Sequence, residues 1–276
     1  MKWIKELFGV EKPIIGMIHL KALPGTPRYD ESSGMSGILE RAQHDFAALV
    51  EGGVDAVMFC NEDDRPYELR VGTEIAAAMA RVVTECVNGR RIVYGVDVLW
   101  DPMAAISIAH ATGAAFVREV FTGVYAGDLG LWNTNCGEVL RHKRRIGAKD
   151  LKLLYNVVPE FSEALQPRPI ELVVRSTVFS SLADVVCVSG PMAGDEVPLA
   201  QLTAAKRVLT DTPVFANTGV RHETVREILS VADGAVVGTA FKEGRYTWNP
   251  ISKENVSTFM EIVREVRSKG ARRNAS

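Results

Sequence analysis

Charged and imidazole side chains stand at or just past the ends of short apolar runs in this 276-residue chain. His19 falls near the end of Ile14–Leu20. Asn61, Glu62, Asp63 and Asp64 follow Ala56–Cys60. Asp97 lies inside Ile92–Leu99, and Arg118 and Glu119 lie inside Phe116–Val120. Carboxylates and imidazoles are the common general acids and bases, and a guanidinium can stabilise developing negative charge. A charge in an apolar strand is costly unless paired. Asp97 and Arg118 therefore read either as an internal ion pair or as working groups. Side chains alternate along a strand, so one of Arg118 and Glu119 faces inward, and parity alone does not say which. His19 reads equally as a structural group or as a catalyst. Of the three acids after Asn61, Glu62 is the one expected to face a site, as a general base or a divalent-metal ligand. A divalent ion held by Glu62, Asp97 or Asp128 is left open, without a dedicated metal motif. Lys152, opening another apolar run, leaves a Schiff base open.

A second pattern lies toward the C-terminus. Val188-Ser189-Gly190, Asn217-Thr218-Gly219-Val220 and Val237-Gly238-Thr239-Ala240 each put a small or hydroxyl residue beside a glycine after an apolar run. Glycine allows close backbone approach, and backbone amides with hydroxyls can cradle a phosphate. The plainer alternative is a set of tight turns. Three consecutive repeats favour phosphate, with Ser189, Gly190, Asn217, Thr218, Gly219, Gly238 and Thr239 as the expected contacts.

These residues need a scaffold. Strands are predicted at Ile14–Leu20, Ala56–Asn61, Ile92–Leu99, Phe116–Val120, Lys152–Val157, Val185–Ser189, Val214–Asn217 and Ala235–Val237. Helices are predicted at Gly37–Glu51, Thr73–Val87, Met103–Ala111, Cys136–Ile146, Ile170–Leu182, Leu199–Leu209, His222–Leu229 and Asn255–Ser268. Gly53, Gly89, Gly113 and Gly147 follow helices, as left-handed caps require. Asp55, Asp150, Asp184 and Asp233 precede strands. Eight βα units in one chain of this length predict a single-domain (β/α)8 TIM barrel over residues 13–268, with an N-terminal extension, 1–12, and a C-terminal tail, 269–276. An open dinucleotide-binding sheet is disfavoured, because His19–Gly25 lacks GxGxxG. In such a barrel the site lies at the C-terminal strand ends, where the residues above fall. Phe121–Trp132 is long enough to act as a lid or to be a plain exposed connection.

Composition narrows the classes. Apolar residues make up 47% and charged residues 24%, which supports a folded core. A net charge of −2 argues against nucleic acid as a main partner, and Arg141–Arg145 reads as a solvated helix face. Cys60, Cys86, Cys136 and Cys187 form no CxxC pair, consistent with a reducing cytoplasm. The uncharged stretch Pro102–Val117 is too short and too polar to span a membrane. Lys269, Arg272 and Arg273 read as a frayed tail. Trp3, Ile4, Leu7 and Phe8 form an apolar face expected to pack on the barrel or on a second subunit. Peripheral membrane contact is the less favoured use.

Together, Lys12–Leu20 with Leu23-Pro24-Gly25-Thr26-Pro27, Gly52–Ala56 with Asn61-Glu62, Asn217–Val220, Asp233–Thr239 and Trp248-Asn249-Pro250-Ile251 resemble the BtpA/SgcQ family. The resemblance runs from Lys12 to about Arg267. It implies a ribulose-phosphate-binding type of barrel, with phosphate held around Gly190, Gly219 and Gly238. One branch of that family is linked to photosystem I assembly or stability, and another to carbohydrate uptake and metabolism. The chain departs from the family pattern at Asp97, Trp100-Asp101-Pro102, Arg118–Phe121 and Ser252, so the substrate does not carry over.

Two functions are therefore expected. The first is an enzyme on a small phosphosugar or nucleoside phosphate, an isomerase, lyase or hydrolase. Here His19, Glu62 and Asp97 do acid–base work and Arg118 stabilises charge. The alternative is a non-catalytic assembly factor for a membrane complex. A homo-oligomer is expected in either case.

Overall fold

The computed structural model describes residues 2–192 and 194–273, with side chains through residue 270. Helix α1 (Lys2–Phe8) precedes strand β1 (Ile14–His19) and helix α2 (Gly34–Gly52). Then come β2 (Ala56–Cys60), α3 (Thr73–Val87), β3 (Val93–Asp97), α4 (Pro102–Thr112) and β4 (Phe116–Glu119). A hairpin of β5 (Val124–Gly127) and β6 (Gly130–Asn133) leads to α5 (Cys136–Arg145), β7 (Lys152–Asn156) and the short β8 (Ser162–Ala164). The remainder is α6 (Ile170–Ser181), β9 (Val185–Val188), α7 (Leu199–Val208), β10 (Val214–Ala216), α8 (Val225–Val231), β11 (Gly234–Val237) and α9 (Lys253–Arg273). Eight parallel strands close into a barrel in the order β1-β11-β10-β9-β7-β4-β3-β2. The predicted (β/α)8 architecture is present.

The strands are apolar on both faces, because one face fills the lumen and the other packs under the helices. Ile15, Met17, Met58, Phe116, Leu154, Cys187, Phe215 and Val236 share the lumen cluster. Ile14, Ile18, Val57, Phe59, Val96 and Val117 join the layer beneath the helices. Register is pinned by aspartates just ahead of strands. The carboxylates of Asp55, Asp184 and Asp233 accept the amides of Ile14, Leu153 and Val214, at the start of the neighbouring strand, at 2.7, 2.9 and 2.9 Å. Gly53, Gly113 and Gly147 take left-handed φ values of 90°, 80° and 85° behind α2, α4 and α5.

Three features differ from the sequence expectation. The stretch after β4 is not a loose loop. β5 and β6 pair antiparallel, β8 adds to β5, and Trp132 of the small sheet packs on Trp100, past β3, at 5.1 Å. The helix predicted at His222–Leu229 is α8 and begins at Val225, because Arg221–Thr224 forms a turn closed by the Arg221 amide on Thr224 Oγ1 at 3.1 Å. The last helix runs on to Arg273, so residues 269–273 of the expected tail are helical, and 274–276 lie outside the described residues.

The N-terminal extension packs on the barrel. Ile4 and Phe8 are buried in the lumen cluster, and the Phe8 ring meets Phe116 at 5.8 Å. Helix α1 thereby covers the end where the strands begin. No helix among the described residues is long and apolar enough to cross a membrane.

Candidate active site

At the opposite end, where the strands finish, a cavity of about 330 Å³ opens. Its wall includes Met17, His19, Glu62, Trp100, Arg118, Glu160, Asn217, Thr218, Gly219, Arg221, Gly238, Thr239, Arg245 and Thr247. Parity along β4 is now fixed. Phe116 and Arg118 face the lumen, and Glu119 lies off the cavity, accepting the amides of Val98 and Val120 at 3.0 and 3.1 Å.

Arg118 and Asp97 form a buried ion pair between β4 and β3, through Arg118 Nη2 and Asp97 Oδ2. Burial pulls the Arg118 pKa down, but the Asp97 charge overcomes it and holds the guanidinium above its usual value. Burial pushes Asp97 up against the opposing pull of Arg118. Burial and the Asp97 charge push Glu119 well above the usual carboxylate range. Asp97 is fully buried and does not line the cavity, so it positions Arg118.

Glu62 reaches the cavity, while its neighbours do not. Asp63 pairs outside with Arg28 at 2.8 Å and Arg65 at 2.7 Å. Asp64 turns inward to accept the Leu23 amide at 2.7 Å and Asn61 Nδ2 at 2.9 Å. Glu62 Oε2 receives the Cys60 thiol at 3.4 Å and lies 3.9 Å from His19 Nε2. Burial raises its pKa to about 7, with Arg118 opposing and Asp97 adding to the rise. A carboxyl tuned there can give or take a proton near neutrality. Burial, then the charge of Lys242, lowers His19 to about 3, so its imidazole is neutral. Gly238 makes room for that ring, since a Cβ there would meet His19 Cε1 at 3.1 Å.

The phosphate candidates divide. Thr218, Gly219, Gly238, Thr239 and Asn217 line the cavity, whereas Ser189 and Gly190 do not. The Gly190 amide is bound to Thr218 Oγ1 at 2.5 Å, and Ser189 Oγ donates to Asn156 Oδ1 at 3.1 Å. Gly219 has a φ of 62°, and a Cβ would meet the Asp195 carbonyl oxygen at 2.3 Å, so only glycine fits. Thr239 Oγ1 touches Thr247 Oγ1 at 3.0 Å.

Sequence reasoning missed Glu160, Trp100, Arg221 and Arg245. Arg221 lies two residues past Gly219, within reach of a wider search. Glu160 lies four residues past β7, and Arg245 follows a short turn, so neither sits at a strand end. Lys152 is away from the cavity, at the opening of β7, bound to Asp184 at 3.2 Å and over the Trp3 ring at 5.0 Å. Asp128 is exposed on the hairpin, so Glu62, Asp97 and Asp128 do not converge. Among the described residues no three His, Cys, Asp or Glu side chains form a metal-holding group.

Comparison with known proteins gives the family and the fold. The model of the BtpA family matches residues 10–265. The chain is 48% identical over 267 residues to SgcQ, a protein of the sgc region of Escherichia coli K12, covering 97% of this chain and 100% of that one. It is 31% identical over 263 residues to the photosystem I biogenesis protein BtpA of Synechocystis sp., covering 94% and 91%. The solved structure of thiamine phosphate pyrophosphorylase from Pyrococcus furiosus superposes with a TM-score of 0.56 and 16% identity, over 92% of this chain and 96% of that one, a likeness of fold alone. With the family's model spanning nearly its full length, the chain belongs to the BtpA family.

Proposed function

We propose that this barrel is an enzyme acting on a small phosphorylated substrate, a phosphosugar or nucleoside phosphate, by acid–base chemistry. The carrying observation is one cavity lined by two unlike sets of residues, which meet where Gly238 lies against His19. Thr218, Gly219, Gly238 and Thr239, with Arg221 and Arg245 beside them, suit a phosphate. Glu62, neutral His19 and the Arg118 guanidinium suit the reacting part of the substrate. Glu62 moves the proton, Arg118 stabilises negative charge on oxygen, and Asp97 holds Arg118 in place. Asn217 lines the same cavity. Ser189 and Gly190 support the phosphate loops from behind rather than touching the ligand. Isomerase, lyase and hydrolase chemistries all fit this description. The setting is cytoplasmic, in keeping with free thiols. A homo-oligomer remains part of the proposal, supported by Phe179, 88% exposed on α6.

The assembly-factor reading follows the name of the Synechocystis relative. Of the apolar face that such a reading would put on a membrane, Ile4 and Phe8 are buried in the barrel, which favours the enzyme. Titration calorimetry with inorganic phosphate and ribose 5-phosphate tests the proposal. The parent should bind both, and an Arg221→Ala/Arg245→Ala variant should bind roughly tenfold more weakly, about 1.4 kcal/mol. A parent that binds neither, or a variant that binds as well as the parent, would refute the phosphate site.

A further inference from the structure

Glu160 is a buried acid that the phosphate reading leaves unused. It stands between β7 and β8, is 5% exposed and lines the cavity. Its carboxylate accepts Asn156 Nδ2 at 2.9 Å and Asn217 Nδ2 at 3.4 Å. Asn217 Nδ2 also donates to Ser189 Oγ at 2.7 Å, and Ser189 Oγ to Asn156 Oδ1 at 3.1 Å. Side chains from the ends of β7, β9 and β10 thus hold one carboxylate in a set orientation. Glu62 enters from the β2 side with weaker donors, the Cys60 thiol at 3.4 Å and the Tyr67 hydroxyl at 3.5 Å. Arg118 acts on both acids. Two carboxylates in one site with unequal donors divide into a proton acceptor and a proton donor.

The wall also holds unpartnered polar atoms. His19 Nδ1, Asn217 Oδ1 and Arg118 Nε are buried with no hydrogen bond. The His19 side chain is 10% exposed, and Arg118 and Asn217 are each 5% exposed. The three residues line the cavity, while these atoms are turned into its wall.

We propose that Glu160 and Glu62 form an acid–base pair that interconverts an aldose phosphate and a ketose phosphate through an enediol. This rests on the phosphate reading above and narrows it to one reaction class. Burial raises Glu160 as it does Glu62, with Arg118 opposing, and the two amide donors on its carboxylate favour its charged form, so Glu160 is assigned the base. It takes the hydrogen from the carbon next to the aldehyde. The C–H electron pair becomes the C=C bond, the carbonyl π pair moves to oxygen, and that oxygen takes the proton of Glu62. Glu160 has then gained one proton, Glu62 has lost one, and Arg118 neutralises charge on oxygen as it develops. The second hydroxyl returns its proton to Glu62, and Glu160 delivers its proton to the former aldehyde carbon. The ketose results with both acids restored and no co-reactant.

Deuterium exchange tests this. The full chain is incubated in D2O with ribose 5-phosphate, ribulose 5-phosphate or fructose 6-phosphate. Proton NMR follows the carbon-bound hydrogen beside the carbonyl, and calorimetry measures binding in parallel. The parent should bind and exchange at least one of them. Glu160→Gln should bind within about threefold and exchange at least roughly 100-fold more slowly, the usual scale for a lost acid–base group. Glu160→Asp, which keeps the charge, should recover part of the rate. Glu62→Gln should slow exchange and flatten its pH profile. Binding without exchange in the parent overturns the pair and leaves the phosphate site standing. Exchange in Glu160→Gln at the parent rate overturns the role of Glu160. No binding of any of the three overturns both readings.

Discussion

Replacing Glu62 with glutamine should stabilise the protein above neutral pH and leave it nearly unchanged in acid. Glu62 is 8% exposed, and burial lifts its pKa from 4.5 to about 7. A carboxyl whose folded pKa is raised favours the fold when protonated. Its contribution is full below the unfolded value and is lost as pH rises through the folded one. The gap from 4.5 to about 7 corresponds to roughly 3 kcal/mol at most. Glutamine has the same shape and carries no charge, so it escapes that loss. The Glu62→Gln advantage should be under about 1 kcal/mol at pH 5, grow through pH 6, and level off near roughly 3 kcal/mol above pH 7. In a chain of this size that is roughly 6–12 °C in melting temperature at pH 8. Urea unfolding of parent and variant at pH 5, 6, 7 and 8 reads it, because titrating groups remote from Glu62 cancel in the difference. An offset equal at all four pH values, or a variant less stable than the parent at pH 8, would refute a buried, proton-holding Glu62.

Two further perturbations probe the scaffold. Asp45 accepts Lys242 Nζ at 3.0 Å, Arg41 Nε at 3.1 Å and the Ile251 amide at 2.8 Å, with Lys242 fully buried. Asp45→Ala should therefore cost about 3–5 kcal/mol by stranding that ammonium, and adding Lys242→Met should recover much of it; denaturant midpoints check both. Phe8→Ala opens a hole beneath Phe116 and should cost about 3–5 kcal/mol by the same measurement. A cost under about 1 kcal/mol would mean that α1 does not plug the barrel.

The βα alternation was plain in the sequence because buried parallel strands read as short β-branched runs, and because glycines and aspartates mark their ends. Asp55, Asp184 and Asp233 even carry the register. The small sheet was not legible. β5 and β6 bury one residue each, Tyr125 and Trp132, so they lack the continuous apolar signal of the barrel strands. Within the site, Glu62 could be singled out from Asp63 and Asp64, and the Asp97–Arg118 pair was one of two readings of charges in apolar strands. Which of Arg118 and Glu119 faces inward needed the barrel's closure, since alternation gives two faces without naming them. Glu160 and Arg245 escaped because loops bring them back over the mouth, and loop paths are set by tertiary packing rather than by local pattern.

Helix α1 closes the barrel at the end where the strands begin, with Ile4 and Phe8 seated among the lumen side chains. Glu62 and Glu160 line the same cavity as Arg221 and Arg245. In the proposed reaction the substrate and the product would occupy that one space in turn. Accumulating product should then inhibit competitively.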